Sequence, residues 1–454
     1  MRCTSSSPGQ ALPRVQRRPD RTSTHPPSQT APCHWYRAAL IPPPPTTESG
    51  DPTAPQPPWR QQLRDALSAL PAVRSRALRT LEPTAATASL QPSPAGDALP
   101  LLDLASNDYL GLSRHPAVLA AAAAELAASG LGAGASRLVT GTRPIHQQLE
   151  AALGVWLGRE RVLLFPSGFQ ANLAAVSALA DRHTLVLADR LIHHSLLVGV
   201  RASGARLQRF AHNDTSDLER RLLAARRERP DGRLLVLCES LYSMEGTSAP
   251  VAALAALCLR HDAPLLVDEA HALGVLGPGG RGLAHGIGSV AILSGTFGKA
   301  FGSGGAFLAA DALVGDWLLQ SSGAFRYTTA LAPPLAAGAL AALRHLEAAP
   351  STGLGLAERA ARWRDAIEAA GWPRPPGEGP ILALLLGTDA EALAAQRRLE
   401  AAGLLTVAIR PPTVPEGTAR LRLVLRQDLP TGSLERLLAA LGPGPLAPRH
   451  ALAP

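Results

Sequence analysis

Between residues 162 and 309 the chain alternates short apolar runs with segments of helix length, and this alternation restricts its fold more than any other feature. The runs are VLLF (162–165), TLVLA (184–188), LLVLC (234–238), PLLV (264–267), VAIL (290–293) and GAFLA (305–309). Each has the length of a strand and lacks alternating polarity, as strands covered on both faces do. Strands separated by helices need crossover connections, so the expected architecture is α/β, a mainly parallel sheet wrapped by helices. Sheets of that kind collect functional side chains at the carboxyl ends of their strands.

The flanks divide the remaining chain. Residues 1–58 are rich in Pro, Ser and Thr and read as a disordered tail; PPPP stands at 42–45. The tail is rich in Arg and poor in acids, as transit peptides are, but its prolines oppose an amphipathic helix and it has no apolar core for secretion. Residues 59–81 show helical spacing interrupted by Pro71, and LLDLASNDYLGL then reads as a strand entering a turn. The expected divisions are a helix and strand segment at 59–110, a large domain at 111–346, a small α+β domain at 347–445 and a short tail at 446–454. Within the small domain the pattern gives helices at 355–370, 389–402 and 433–441. Its strands fall at ILALLL, LLTVAI and ARLRLVL.

A net charge of +8 raises nucleic acid or an acidic surface as partners. The arginines oppose that reading, because they occur singly or in pairs on helix-like segments interleaved with Glu and Asp. Aromatic residues are only 4%, and no basic stripe carries them. Cys3, Cys33, Cys238 and Cys258 have no paired spacing, which fits a reducing compartment and gives no metal signature. No apolar run approaches the ~18 residues of a membrane helix. The expectation is a cytoplasmic enzyme with no metal, no membrane and no nucleic-acid partner.

One residue stands apart. Lys299, in GTFGKAFG (295–302), is the single lysine among 44 Lys and Arg residues. A guanidinium cannot form a Schiff base, whereas a desolvated lysine amine can. Schiff-base chemistry on pyridoxal phosphate also needs a carboxylate facing the pyridine nitrogen, a phosphate cradle and a ring platform. Asp268 ends the run PLLV, with His271 three residues on. FPSGFQAN (165–172) turns from strand to helix, so the amides of Gly168 and Phe169 can meet an anion, and Thr296 adds a hydroxyl. Asp189, His193 and His194 follow TLVLA, one imidazole serving to stack on the ring. Ser243 follows LLVLC.

The segments ASNDYLGL, GAGASRLVTGT, FPSGFQAN, ADRLIHHSL, AHND, ESLYSMEG, VDEAHALGVLGPGGRG, GTFGKAFG and IRPPTVPEGTARLRL occur in this order over roughly residues 60–445. Together they resemble the α-oxoamine synthases, a family of fold-type I pyridoxal phosphate enzymes. The resemblance implies a large domain with a mainly parallel seven-stranded sheet, a small C-terminal α+β domain and a homodimer with its site at the subunit interface. It implies that Lys299 carries the Schiff base, Asp268 faces the pyridine nitrogen, His271 bonds the phenolic oxygen with Ser243 near it, and His193 stacks. Gly168, Phe169 and Thr296 would contact the phosphate, with Thr328 or Thr329 reaching over from a second subunit. Asn107 and Arg410 would bind the amino acid, and Arg79 and Thr413 the acyl substrate. IRPPTVP and SRLVTGT favour L-alanine and a pimeloyl thioester, on CoA or acyl carrier protein, over relatives that use glycine; another member using glycine or serine is the alternative. Ala272, Ser240 and Thr247 depart from common forms of the family beside these ligands.

Overall fold

The computed structural model describes residues 57–93 and 99–444, so most of the expected tails lies outside the described residues. The chain divides into residues 1–69 and 70–454. In the first unit the described residues hold one helix, Pro58–Ser68, opened by a proline whose missing N–H costs nothing there. The helical spacing read over 59–81 does not continue. Pro71, without an N–H, precedes a single turn, Ala72–Arg74, and the backbone is then extended.

In the second unit, β1 (Leu81–Pro83), β2 (Ser89–Pro92) and β3 (Leu101–Asp103) pair antiparallel in sequence. The central sheet follows, built from β4 (Arg161–Phe165), β5 (Leu185–Asp189), β6 (Arg206–Phe210), β7 (Leu234–Glu239), β8 (Leu265–Asp268), β9 (Val290–Thr296) and β10 (Ala306–Ala310). Its order is β4-β10-β9-β8-β7-β5-β6, with β10 antiparallel to both neighbours and the other pairs parallel. Six of these strands coincide with the six apolar runs. The sequence pattern does not reveal β6, because RLQRF is an edge strand with arginines facing outward and only Phe210 fully buried.

The runs are uniformly apolar because alternate residues enter two different cores. Leu187, Val236, Val267 and Leu293 join the core on one face; Val186, Leu237, Leu266 and Ile292 join the core on the other. The first core continues into the C-terminal region, where β11 (Ile381–Gly387), β13 (Val407–Ile409) and β14 (Ala419–Val424) form an antiparallel sheet. Between them β12 (Leu404–Leu405) pairs parallel with β3, which ties residues 101–103 to the C-terminal region across some 300 positions. The C-terminal helices run Thr352–Ala369, Asp389–Ala401 and Ser433–Leu441.

Candidate active site

The strand order reverses between β5 and its two neighbours, β6 and β7, and a cavity of about 210 Å³ opens beyond the carboxyl ends of β7, β8 and β9. Glu239, Asp268 and Ser294 stand in register on those three strands and line it. Beyond Ser294, β9 runs to Thr296, three residues longer than its apolar run, and the turn that follows carries Lys299. The turn closes with the Gly302 N–H on the Lys299 carbonyl at 2.9 Å. Gly302 has φ +60°, and a Cβ there would lie 2.1 Å from the Ser113 nitrogen, so the turn requires glycine.

Lys299 is the end of a relay of hydrogen bonds. Its Nζ lies 2.8 Å from His271 Nε2, and His271 Nδ1 lies 2.5 Å from the Tyr109 hydroxyl. Arg422, on β14, faces that hydroxyl and donates to Asn107 Oδ1 at 2.9 Å and to the Ser243 carbonyl at 2.6 Å. Burial raises the Tyr109 pKa, so its hydroxyl keeps its proton and donates to His271. Burial, then Lys299 and Arg422, hold the His271 pKa well below the usual value, so the ring is neutral and presents Nε2–H to the lysine. Burial lowers the Lys299 pKa to about 8 against the pull of Asp268 and Glu239, which favours the free amine.

A second relay orients the opposite wall. Asn172 Nδ2 donates to Asp268 Oδ2 at 2.7 Å and to Ser195 Oγ at 2.9 Å. The Ala270 N–H donates to Asp268 Oδ1 at 2.9 Å. Ser195 reaches His193 Nδ1 twice, from Oγ at 2.7 Å and from its N–H at 3.3 Å, so Nδ1 is the acceptor and Nε2 carries the ring proton. Burial lowers the His193 pKa, opposed by Asp268, which keeps the ring neutral.

The third corner suits an anion. The helix Gly168–Leu179 opens onto the cavity, its N-cap Ser167 taking the Gln170 N–H at 3.3 Å and the Ala171 N–H at 3.0 Å. Gly168 and Phe169 line the cavity with first-turn amides to offer. Thr296 Oγ1 bonds the Gly305 carbonyl at 3.0 Å and accepts the Gly298 N–H at 3.2 Å, and its Cβ lies 3.7 Å from where a Gly168 Cβ would stand.

Residues 100–441 match the aminotransferase class I and II family. The 8-amino-7-oxononanoate synthase of Gluconacetobacter diazotrophicus is 44% identical over 365 residues, 79% of this chain and 91% of that protein. This chain belongs to the 8-amino-7-oxononanoate synthase family. Solved structures agree in fold. A lysine-to-alanine variant of serine palmitoyltransferase from S. paucimobilis, bound to a PLP–myriocin aldimine, superposes with TM-score 0.76 at 28% identity, over 84% of this chain and 94% of that chain. The 8-amino-7-oxononanoate synthase of Francisella tularensis superposes with TM-score 0.63 at 27% identity, over 75% of this chain and 96% of that chain.

The cavity fits pyridoxal phosphate on its own chemistry. A buried amine, a doubly anchored carboxylate, a neutral imidazole and a helix N-terminus converge on it, and Asn172 Oδ1 and Glu239 Oε1 are buried there without a partner. Of the residues singled out in the sequence, Gly168, Phe169, His193, Asp268, His271, Thr296 and Lys299 line this cavity. Ser243 and Thr413 instead line a chamber of about 550 Å³, together with His194, Arg190, Arg209 and Pro412–Pro415, that shares His193 with this cavity. Asn107 is held by Arg422. Arg410 donates to the Val73 carbonyl and keeps Nε buried without a partner. Arg79 pairs with Glu400 at 2.5 Å and lines neither cavity. Thr328 and Thr329 line neither; Thr329 bridges Ser136 instead.

Asn172, Ser195, Glu239, Tyr109 and Arg422 lie within the quoted segments, but the sequence reading gave them no role. Asn172 carried a signal, since an amide in the alanine-rich helix GFQANLAAVSAL must find a buried partner.

Proposed function

We propose that this chain condenses L-alanine with a pimeloyl thioester, releasing carbon dioxide and the thiol and forming 8-amino-7-oxononanoate. The observation that supports it most directly is the sole lysine, its amine pKa lowered by burial, set beside a neutral His271 in one cavity with an anchored carboxylate. Pyridoxal phosphate, when bound, supplies a ring that accepts the electron pair left at the amino-acid Cα. Lys299 would hold that group covalently, and its free amine would serve as the general base for the Cα proton. Asp268 keeps the pyridine nitrogen protonated, and Asn172 with the Ala270 amide keeps Asp268 in place. His193 stacks on the ring, and His271 bonds its phenolic oxygen. Gly168, Phe169 and Thr296 hold the phosphate.

Asn107 and Arg410 bind the alanine carboxylate, Arg410 as a two-pronged donor. The larger chamber, lined by Ser243 and Thr413, admits the acyl chain. The change joins Cα to the acyl carbon, expels the thiol, releases the carboxylate as carbon dioxide and returns a proton to Cα. Arg79 engages the acyl substrate only by leaving Glu400. A homodimer brings Thr328 or Thr329 to the partner's phosphate; the adjoining Leu138, Val139 and Tyr327 are exposed apolar side chains that such an interface would cover. No helix among the described residues is long and apolar enough to cross a membrane, and we place the enzyme in the cytoplasm.

The likeness to serine palmitoyltransferase makes another amino acid the second reading. Titrating the yellow holoenzyme with alanine, glycine and serine, then adding pimeloyl-CoA, separates them. Carbon dioxide and product mass with alanine alone support the proposal; turnover confined to glycine or serine overturns it.

A further inference from the structure

Glu239 has no task in the chemistry above, yet it is 2% exposed and its Oε1 is buried without a partner in the wall of the Lys299 cavity. It ends β7 in register with Asp268 on β8, so two carboxyls face one small space. They are treated differently. Asp268 receives two N–H donors, from Asn172 and Ala270. Glu239 has only the Ser243 N–H against burial and the Asp268 charge, which push its pKa well up, while Lys299 pulls the other way. Glu245, Tyr242 and Cys238 also face it, and none is a cation. The two carboxyls thus stand in different environments, one anchored by two N–H donors and its neighbour biased by burial toward its protonated form, the division that gives paired carboxyls distinct roles.

Glu239 lines the smaller cavity and is linked to the larger one through Ser243. His193 lines both, and Ser243, whose N–H faces Glu239, lines the larger one. On the reading above, the alanine carbon and the acyl carbon come together between these cavities. We propose that Glu239 is a further catalytic residue of the condensation. Its carboxylic acid O–H hydrogen-bonds the thioester carbonyl oxygen while negative charge develops there during carbon–carbon bond formation, and it keeps its proton throughout. An ionised Glu239 would repel that oxygen, so condensation slows at alkaline pH.

The test uses holoenzyme and two readouts. Loss of Cα deuterium from labelled alanine reports the lysine step alone; carbon dioxide release with alanine and pimeloyl-CoA reports condensation. In Glu239→Ala, condensation is expected to fall about 10²–10³-fold, as for loss of one oxyanion donor. Deuterium exchange should stay within about threefold, since the lysine relay is intact. Glu239→Gln keeps an N–H donor at the same place and is expected to retain condensation within about tenfold and to lose the alkaline decline. Equal loss of both readouts in Glu239→Ala, or unchanged condensation, overturns the proposal. Should Glu239→Ala not fold, an alkaline decline that persists in Glu239→Gln overturns it instead. Wild-type enzyme that exchanges alanine but releases no carbon dioxide with pimeloyl-CoA sinks the functional reading itself, and the role of Glu239 with it.

Discussion

Tyr109 holds His271 from behind while His271 faces Lys299: the tyrosine hydroxyl is 2.5 Å from Nδ1, and the lysine Nζ is 2.8 Å from Nε2. Because the hydroxyl donates to Nδ1, the ring proton sits on Nε2 and points at the amine. The histidine thus offers a donor to whatever basic or anionic atom takes the place of that amine, including the phenolic oxygen assigned to it above.

Tyr109→Phe removes this control and leaves Nδ1 buried without a partner. A loss of about 1–3 kcal/mol in stability is expected, with turnover falling about tenfold as the tautomers mix. Urea unfolding and steady-state rates measure the two effects. A variant with unchanged turnover would show that the hydroxyl does not set the tautomer.

Lys299→Arg keeps the positive charge and much of the bulk but cannot bind the cofactor covalently or act as a base near neutrality. Turnover is expected to fall by at least about 10³-fold, as when a general base is lost. The yellow absorbance of the protein should shift or disappear. Normal colour and turnover together would move the chemistry away from Lys299.

The strands that carry the site were readable because both of their faces are buried, which makes each an unbroken apolar run ended by a carboxyl that lines the cavity: Asp268 after PLLV, Glu239 after LLVLC. Edge strand β6 was not, since RLQRF mixes arginines with apolar residues at a solvent-facing margin. Lys299 stood out by composition alone. Its partners Tyr109 and Arg422 did not, because they come from positions 109 and 422, and only the packing of β14 against the turn after β3 brings them to one hydroxyl. Long-range polar contacts leave no local period to detect. Arg79 shows the converse: a residue aligned by resemblance in a loosely matching segment, where the structure pairs it with Glu400.

Arg420 and Glu245 form a buried ion pair at 3.0 Å, which joins β14 to the loop after β7. Arg420 also donates to the Met244 carbonyl at 3.2 Å. Burial raises the Glu245 pKa and lowers that of Arg420, each opposed by the other's charge. Arg420→Met leaves the carboxylate uncompensated and is expected to cost about 3–5 kcal/mol; adding Glu245→Gln should restore much of that. Equilibrium unfolding of the two variants decides. If both lose the same amount, the contribution of Arg420 is packing and not pairing.

The buried amine also makes a prediction about pH. The Lys299 pKa is lowered from 10.5 in the open chain to about 8 in the folded apoenzyme. Between these values the unfolded state binds the extra proton, so stability rises with pH across that window. The contribution is present in full above 10.5 and is lost as pH falls through 8; it amounts to on the order of 3 kcal/mol. Lys299→Met has no proton to bind, so the unfolding free energy of wild-type apoenzyme should gain on that of the variant by this amount between about pH 7.5 and pH 10.5. Urea denaturation of cofactor-free protein across that range measures it. A difference that stays flat would mean the amine is charged in the folded apoenzyme throughout, and that His271 is not presenting its proton to a neutral lysine.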